Sequence, residues 1–174
     1  MKFNISEEEL DEVLDIKDVV EYNSGVMDTI IEGIIQPYCK DLDDYVSFIG
    51  ECLADGMKQP TNSELEDFCL NLSTYIYVAG GMCEYLGIRD DISKAVWKEI
   101  YHTERNKTEK GTIADKDSIA MLASQKELLI NTCYSRAYKL MKSKVENAQE
   151  LLSSCKKVLS HRMQEIELTN IGGR

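Results

Sequence analysis

The sequence predicts an all-α fold, and three observations lead to that prediction. Apolar residues recur every three or four positions, which is the period of helices and not of strands. Proline occurs only at Pro37 and Pro60, and proline is the strongest helix breaker. The 174 residues are 43% hydrophobic and 29% charged, which suits a folded core. We expect N-terminal short helices followed by a long antiparallel helical hairpin, coiled-coil-like and oligomeric.

Residues 1–60 form the predicted acidic N-terminal helical region. Ser6 and Glu9 have the spacing of a capping box, which starts a first short helix. The two helices that follow are expected at Asp18–Ile35 and Tyr38–Asp55, ended by Pro37 and Gly56 respectively. Both stops rest on local rules, because proline interrupts a helix and glycine commonly ends one.

Residues 61–168 form the predicted hairpin, and residues 169–174 a frayed tail. Ser63 and Glu66 match a second capping box and start a helix that Gly87 ends or kinks. Gly80 and Gly81 lie in the middle of that helix, which predicts close approach of another helix. A last helix is expected from Ile113 to Leu168, about 80 Å long. A lone globule of this chain length is only about 40 Å across, so that helix needs a long partner within the chain, in another chain, or in both.

The stretch KGTIADKDS at Lys110–Ser118 has some features of a phosphate-binding loop. Such a loop follows a buried strand and has a second glycine just before its lysine. Here a helix precedes, and Asp115 occupies the position of that glycine, where a carboxylate repels phosphate. We interpret the stretch as a corner in which Gly111 ends one helix and Thr112 caps the next.

The sequence predicts no enzyme, metal or cofactor. The six cysteines form no C-x-x-C pair and lie among apolar residues at helical spacing, so we expect reduced core thiols. His102 has no nucleophile beside it in sequence and His161 has basic residues near it, so both are interpreted as surface or interfacial histidines. The acidic clusters, such as Asp90 and Asp91, are interpreted as helix N-terminal charges and solvated faces.

Charge divides the chain into two halves of opposite sign. Residues 1–93 hold 5 basic and 21 acidic residues, whereas residues 94–162 hold 14 basic and 8 acidic ones. No apolar run approaches the roughly 18 residues of a membrane span, and the N-terminus lacks an apolar signal core. We expect a cytoplasmic protein with no membrane partner.

The basic half contains the candidate nucleic-acid-binding residues. All of them lie on the predicted last helix: Arg136, Lys139, Lys142, Lys144, Lys156, Lys157 and Arg162. At about 100° per residue most of them point away from the apolar stripe, while Lys144 and Arg162 flank it. Tyr134 and Tyr138 stand beside the first group and could stack on bases. The alternative interpretation is the solvated face of an ordinary helix.

Three motifs carry a resemblance to a known family. They are G-T-x-A-D-K at the corner, Y-x-R-A-Y-K at Tyr134–Lys139 and S-x-K-K-V-L-S-x-R-M at Ser154–Met163. Over about residues 65–168 the chain resembles the recombination mediators of bacteriophages, the UvsY-like proteins. The resemblance implies a homo-oligomer that binds single-stranded DNA and helps load a RecA-like recombinase while single-strand-binding protein is displaced. It also implies that DNA is contacted by Arg136, Lys139, Lys156, Lys157 and Arg162.

We therefore expect a phage recombination accessory protein of the host cytoplasm that binds single-stranded DNA, helps load a RecA-like recombinase, or does both. Its acidic half would contact the recombinase or repel wrong partners. Two alternatives stay open. One is an acidic phage inhibitor of a host nuclease or defence system, which would bind its target enzyme and ignore DNA. The other is a coiled-coil assembly or scaffold protein, which would oligomerise without salt-sensitive DNA binding.

Overall fold

The fold was examined in a computed structural model that describes residues 7–54, 59–108 and 111–172. Four helices make up these residues, and none of them forms a strand. The helices are α1 (Glu7–Ala54), α2 (Asn62–Lys107), α3 (Ile113–Ala123) and α4 (Gln125–Gly172). The prediction of an all-α fold is confirmed.

One core joins α1, α2 and α4, and α3 packs against the end of α2. Contacts between α2 and α4 run in opposite order along the two helices. Asn131 of α4 donates to Ser93 of α2 at 3.0 Å, whereas Arg162 of α4 reaches Gln59, just before α2, at 3.1 Å. The side chains that are almost fully buried in this core are Ile35, Cys39, Leu42, Ile49, Leu65, Leu72, Ala79, Leu86, Ala137, Met141 and Ala148.

The prediction of several short N-terminal helices is wrong, because α1 is a single helix with Pro37 inside it. A proline in a helix interior removes one hydrogen bond and crowds the preceding turn, at a cost of about 3 kcal/mol. Ile35 and Cys39 on either side of Pro37 are 0% and 2% exposed. Burying an isoleucine contributes about 1.5–3 kcal/mol, so the packing of the helix on both sides of Pro37 offsets the break. Ser6 and Gly56 lie outside the described residues.

Helix α2 also differs from its prediction, at its start and at its glycines. The capping box uses Thr61 and Glu64 rather than Ser63 and Glu66, with Thr61 Oγ1 accepting from Glu64 N at 3.2 Å. The helix passes through Gly87 without ending.

The glycine at a close helix approach is Gly87, and not Gly80 or Gly81. A Cβ at Gly87 would lie 3.2 Å from Cε2 of Tyr138 on α4, while one at Gly80 or Gly81 would meet nothing within 4 Å. The close approach of another helix that was predicted at Gly80 and Gly81 is therefore not found among the described residues of the chain.

Thr112 caps the next helix as predicted, but Gly111 does not end α2, which ends at Lys107 with Thr108 as its C-cap. The long helix predicted after this corner is interrupted. Gly111 has φ +118°, a conformation that favours glycine, and Thr112 caps α3 in a capping box with Asp115. Ser124 then departs from helical geometry, with φ −101° and ψ 9°. Its hydroxyl donates to the carbonyl of Ala120 at 2.8 Å, an alternative bond that serine offers a helix backbone. The predicted single helix is therefore two, and α4 extends to Gly172, into the tail predicted to be frayed.

Candidate nucleic-acid interface

Five of the seven predicted basic residues are exposed on α4. These are Arg136, Lys139, Lys142, Lys156 and Lys157. Lys142 Nζ lies 3.9 Å from Glu146 Oε1, a loose pair between two exposed side chains. Among the described residues, the other four have no ion pair. They are therefore cations that can take an external anion without first breaking a contact inside the protein.

The remaining two predicted residues hold the fold together. Lys144 Nζ lies 2.8 Å from Asp43 Oδ2 of α1. Arg162 donates to the carbonyl of Pro60 and, at 3.1 Å, to Gln59 Oε1. Both side chains are half-buried. Their donors are already engaged in contacts within the chain, so they contribute less to an external site than their sequence positions suggest.

The exposed basic residues are interspersed with acids along one side of α4. Arg136, Lys139 and Lys142 follow one another at three-residue steps, about 4.5 Å each. Lys157 has the same direction around the helix as Lys139, about 27 Å further along. Glu146 and Glu150 lie between them on the same side and are exposed. The surface therefore offers two separate basic patches rather than one continuous stripe.

Lys142 and Lys156 stand beside α2. The charge of Lys156 acts on Cys69 of α2 and that of Lys142 on Cys83, in each case opposing the rise in thiol pKa that burial causes. Lys94 and Lys98 of α2 are exposed too. Sequence reasoning left these two lysines out because it searched only the last helix for a basic face.

The tyrosines predicted to stack on bases are partly used for packing. Tyr134 and Tyr138 are half-buried, and the ring of Tyr138 covers Gly87. A more accessible aromatic lies on α2, where Arg89 Cζ stands 4.6 Å from the ring centroid of Tyr85. Arg89 also donates to the Tyr85 hydroxyl at 2.9 Å, and Tyr85 is 46% exposed. An i, i+4 Tyr–Arg pair is the sequence signal that could have indicated it.

The corner at Gly111–Ser118 caps the N-terminus of α3. Asp115 Oδ2 accepts from Thr112 N at 2.9 Å and from Thr112 Oγ1 at 2.8 Å. These bonds lower the pKa of Asp115, so the carboxylate keeps its negative charge where a phosphate would have to bind. Asp117 accepts from Tyr101 at 3.2 Å and also from Arg105, which ties α3 to α2. The interpretation as a helix corner is confirmed.

Neither His102 nor His161 lies in a catalytic arrangement with other described residues. His161 Nδ1 lies 3.6 Å from Glu165, and both side chains are exposed. His102 is exposed beside the ring of Tyr101. No group of three or more potential metal ligands occurs within the described part of the chain. All six cysteines are free thiols, and four of them are buried.

Comparison with protein families, curated proteins and solved structures finds no match to this chain. Within the described residues, no helix is both long enough and apolar enough to cross a membrane. The described residues thus form an all-helical arrangement, with surface cations of α4 that have no ion pair among them and with an extensive exposed apolar surface.

That apolar surface is extensive. On α2, it includes Leu70, Tyr77, Val78, Tyr85, Ile88, Ile92 and Val96, of which Tyr77 is the most exposed at 83%. Leu122 of α3 and Leu129 of α4 are 72% and 52% exposed. Exposed apolar patches of this kind mark interaction surfaces.

Proposed function

We propose that this chain is a non-enzymatic, homo-oligomeric accessory protein of DNA recombination that binds single-stranded DNA. One observation carries the proposal. Arg136, Lys139, Lys156 and Lys157 are exposed cations with no ion pair among the described residues, in a chain whose net charge is −11. In so acidic a protein, carboxylate partners are plentiful, so cations left unpaired on one helix are available for an external polyanion.

Phosphates are the anions that suit these residues. Nucleic-acid backbones present one charge per nucleotide, and lysine and arginine bind them by displacing counterions. Single-stranded nucleic acid also stacks on aromatic rings, and Tyr85 with Arg89 offers a ring and a cation together. Two short basic patches on one chain bind weakly. An oligomer repeats the patches, and linked weak sites add up to a much higher apparent affinity.

The acidic half gives this protein a second surface of opposite character. Asp28, Glu32, Asp41, Asp44 and Glu51 of α1 are exposed. Such a surface repels DNA and attracts basic protein surfaces. We assign it to contact with a RecA-like recombinase or a single-strand-binding protein, in agreement with the resemblance to phage recombination mediators.

A second candidate function is that of a helical assembly protein without DNA binding. The exposed apolar residues of α2 favour it, because self-association covers such a surface and needs no nucleic acid. The acids Glu146 and Glu150 between the two basic patches favour it as well, since they weaken the attraction for phosphate.

Fluorescence anisotropy with a labelled single-stranded oligonucleotide separates the two candidates. The recombination proposal expects binding at low salt that weakens steeply as salt rises, with a slope of about −0.7 in log affinity against log salt per phosphate neutralised. A double-stranded probe of the same length serves as the comparison and should bind less tightly. Absence of binding at 20 mM salt by an oligomeric sample would contradict the proposal and favour the assembly protein.

A further inference from the structure

A groove of about 290 Å³ lies between α1 and α2. It is lined by Asp41, Asp44, Tyr45 and Phe48 of α1 and by Tyr75 of α2. The four residues of α1 have the spacing i, i+3, i+4 and i+7, which places them on one side of that helix. Two carboxylates and three aromatic rings therefore share one space on the surface.

The aromatic rings of the groove are held in place by one another. The centroid of the Tyr45 ring lies 5.1 Å from that of Tyr75 and 5.8 Å from that of Phe48. Phe48 in turn packs edge to face with Phe68, which is buried, at 6.1 Å between centroids. All three distances lie in the range of favourable aromatic pairs. The Tyr45 hydroxyl also donates to the carbonyl of Asp67 at 3.4 Å, which anchors this ring to α2.

Phe48 is the open part of this aromatic cluster. It is 49% exposed, whereas Tyr45 and Tyr75 are half-buried. The face of an aromatic ring attracts a cation electrostatically, and in proteins that cation is more often arginine than lysine. A half-exposed ring beside carboxylates therefore suits a positively charged ligand better than an apolar one.

Asp41 and Asp44 leave the negative charge of the groove uncompensated. Both are exposed, and neither has an ion pair among the described residues. Residues 41–48 and 67–78, which form the two sides of the groove, contain four aspartates and no lysine or arginine. Lys40 is exposed one turn before Asp44 and forms no ion pair with it. Such a local field attracts cations and repels phosphates and other anions.

We infer that this groove binds an arginine side chain presented by a basic segment of a partner protein. The inference rests on the protein contact proposed for the acidic half and names the site that makes it. Arginine fits both parts of the groove, because its planar guanidinium stacks on aromatic rings and donates to carboxylates through several N–H groups. The ammonium of lysine is a compact, strongly hydrated charge and matches the rings less well.

The charges beyond the groove favour a protein segment over a small free cation. Exposed acids continue along α1 at Asp28 and Glu32 before the groove and at Glu51 after it. The first two lie about 14–20 Å from Asp41 along the helix. A small cation in the groove leaves these charges unmatched, whereas a chain with several basic residues reaches them at the same time and gains from each.

Fluorescence anisotropy with a labelled peptide of four Gly-Arg repeats tests the inference. A peptide with citrulline in place of each arginine should bind at least about tenfold more weakly, because neither rings nor carboxylates attract a neutral group strongly. Phe48→Leu keeps an apolar side chain but removes the ring, so the arginine peptide should bind about fivefold more weakly. Asp41→Asn/Asp44→Asn should weaken it by at least about fivefold, because the charge-assisted hydrogen bonds are lost.

Each groove variant has a matched control. Tyr77→Leu removes an aromatic ring of α2 that is 83% exposed and does not line the groove. Asp91→Asn/Glu99→Gln removes two exposed charges of α2, and Asp91 lies about 24 Å from Tyr75 along the helix. Both controls should bind the arginine peptide as wild type does, and circular dichroism should show the same helix content in every variant.

Three results would overturn the inference: no binding of the arginine peptide by wild type, equal binding of the arginine and citrulline peptides, or the same loss in the groove variants and their controls. Spermidine that binds as tightly as the arginine peptide, and is weakened by the same substitutions, would contradict the assignment to a protein segment. No nucleic acid enters these measurements, so the groove can fail while oligonucleotide binding, which tests the proposed function, stands.

Discussion

Lys144 of α4 and Asp43 of α1 form an ion pair, with Nζ 2.8 Å from Oδ2. The thiol of Cys39 donates to the same carboxylate oxygen at 3.2 Å. Burial disfavours the charged ammonium of Lys144, but the hydrogen bond and the charge of Asp43 more than offset it, and the pKa of Lys144 is raised. The pair joins the acidic half of the sequence to its basic half inside one bundle.

We predict that Lys144→Ala lowers stability, whereas Lys142→Ala does not. The Lys144 side chain is 27% exposed and Asp43 is 41% exposed, so solvent screens the pair and its loss costs about 1 kcal/mol. The Lys142 side chain is 55% exposed and its carboxylate partner lies 3.9 Å away. Urea unfolding followed by circular dichroism measures both changes. Equal stability of the two variants would remove the structural role assigned to Lys144.

Alkaline pH should destabilise the protein through Cys39. Burial, together with Asp43, raises the pKa of this thiol from 9.0 to about 12. The unfolded chain therefore releases the Cys39 proton before the folded chain does, and stability that is complete below pH 9 is lost between pH 9 and about 12. The raised pKa of Lys144 acts in the same direction at high pH, because its paired, charged form is lost as pH rises.

A Cys39→Ala variant isolates the contribution of the thiol. Its free energy of unfolding, measured from pH 8 to 11, should fall less steeply than that of wild type, even though its stability at pH 7 is lower from the lost packing. Parallel curves for the two proteins would mean that Cys39 does not titrate differently in the folded and unfolded states.

The two glycine environments on α2 give a matched pair of substitutions. Gly80→Ala should stabilise the protein by about 1 kcal/mol, because alanine is the better helix former and the site is open. Gly87→Ala should fall short of that gain by about 1 kcal/mol or more, because its Cβ would lie 3.2 Å from the Tyr138 ring. Thermal unfolding of both variants measures the difference. Equal gains would mean that Tyr138 moves aside without penalty.

The all-α fold and the Thr112–Asp115 corner were predictable from sequence because both depend on local patterns. Apolar period and proline content indicate helices over many residues, and a capping box uses residues only three apart. The course of α1 through Pro37 was not predictable in the same way. Its continuation depends on burial of Ile35 and Cys39 against other helices, which a local rule does not include.

The candidate site was predictable in part. The sequence placed the basic residues on the last helix, where they are found, because charge and helical period are local properties. The sequence could not show that Lys144 forms an ion pair with Asp43 whereas Lys142 does not, because the packing of α1 brings Asp43 to Lys144. Nor did the sequence indicate which apolar residues are buried within the chain. Leu122 and Ile92, for example, are 72% and 58% exposed.

The central claim is that the unpaired cations of α4 bind single-stranded DNA. Its most direct test compares the salt dependence of oligonucleotide affinity for wild type, the variant Arg136→Ala/Lys139→Ala, and a control variant Lys40→Ala/Lys107→Ala, whose lysines lie on α1 and α2. Both variants change the net charge by the same amount at exposed positions, and alanine keeps the helices intact.

The account predicts that the α4 variant binds more weakly and with a shallower slope, smaller by about 1.4 units for two lost phosphate contacts, while the control stays close to wild type. Equal affinities and slopes for the α4 variant and wild type would contradict the account, as would an equal loss in both variants.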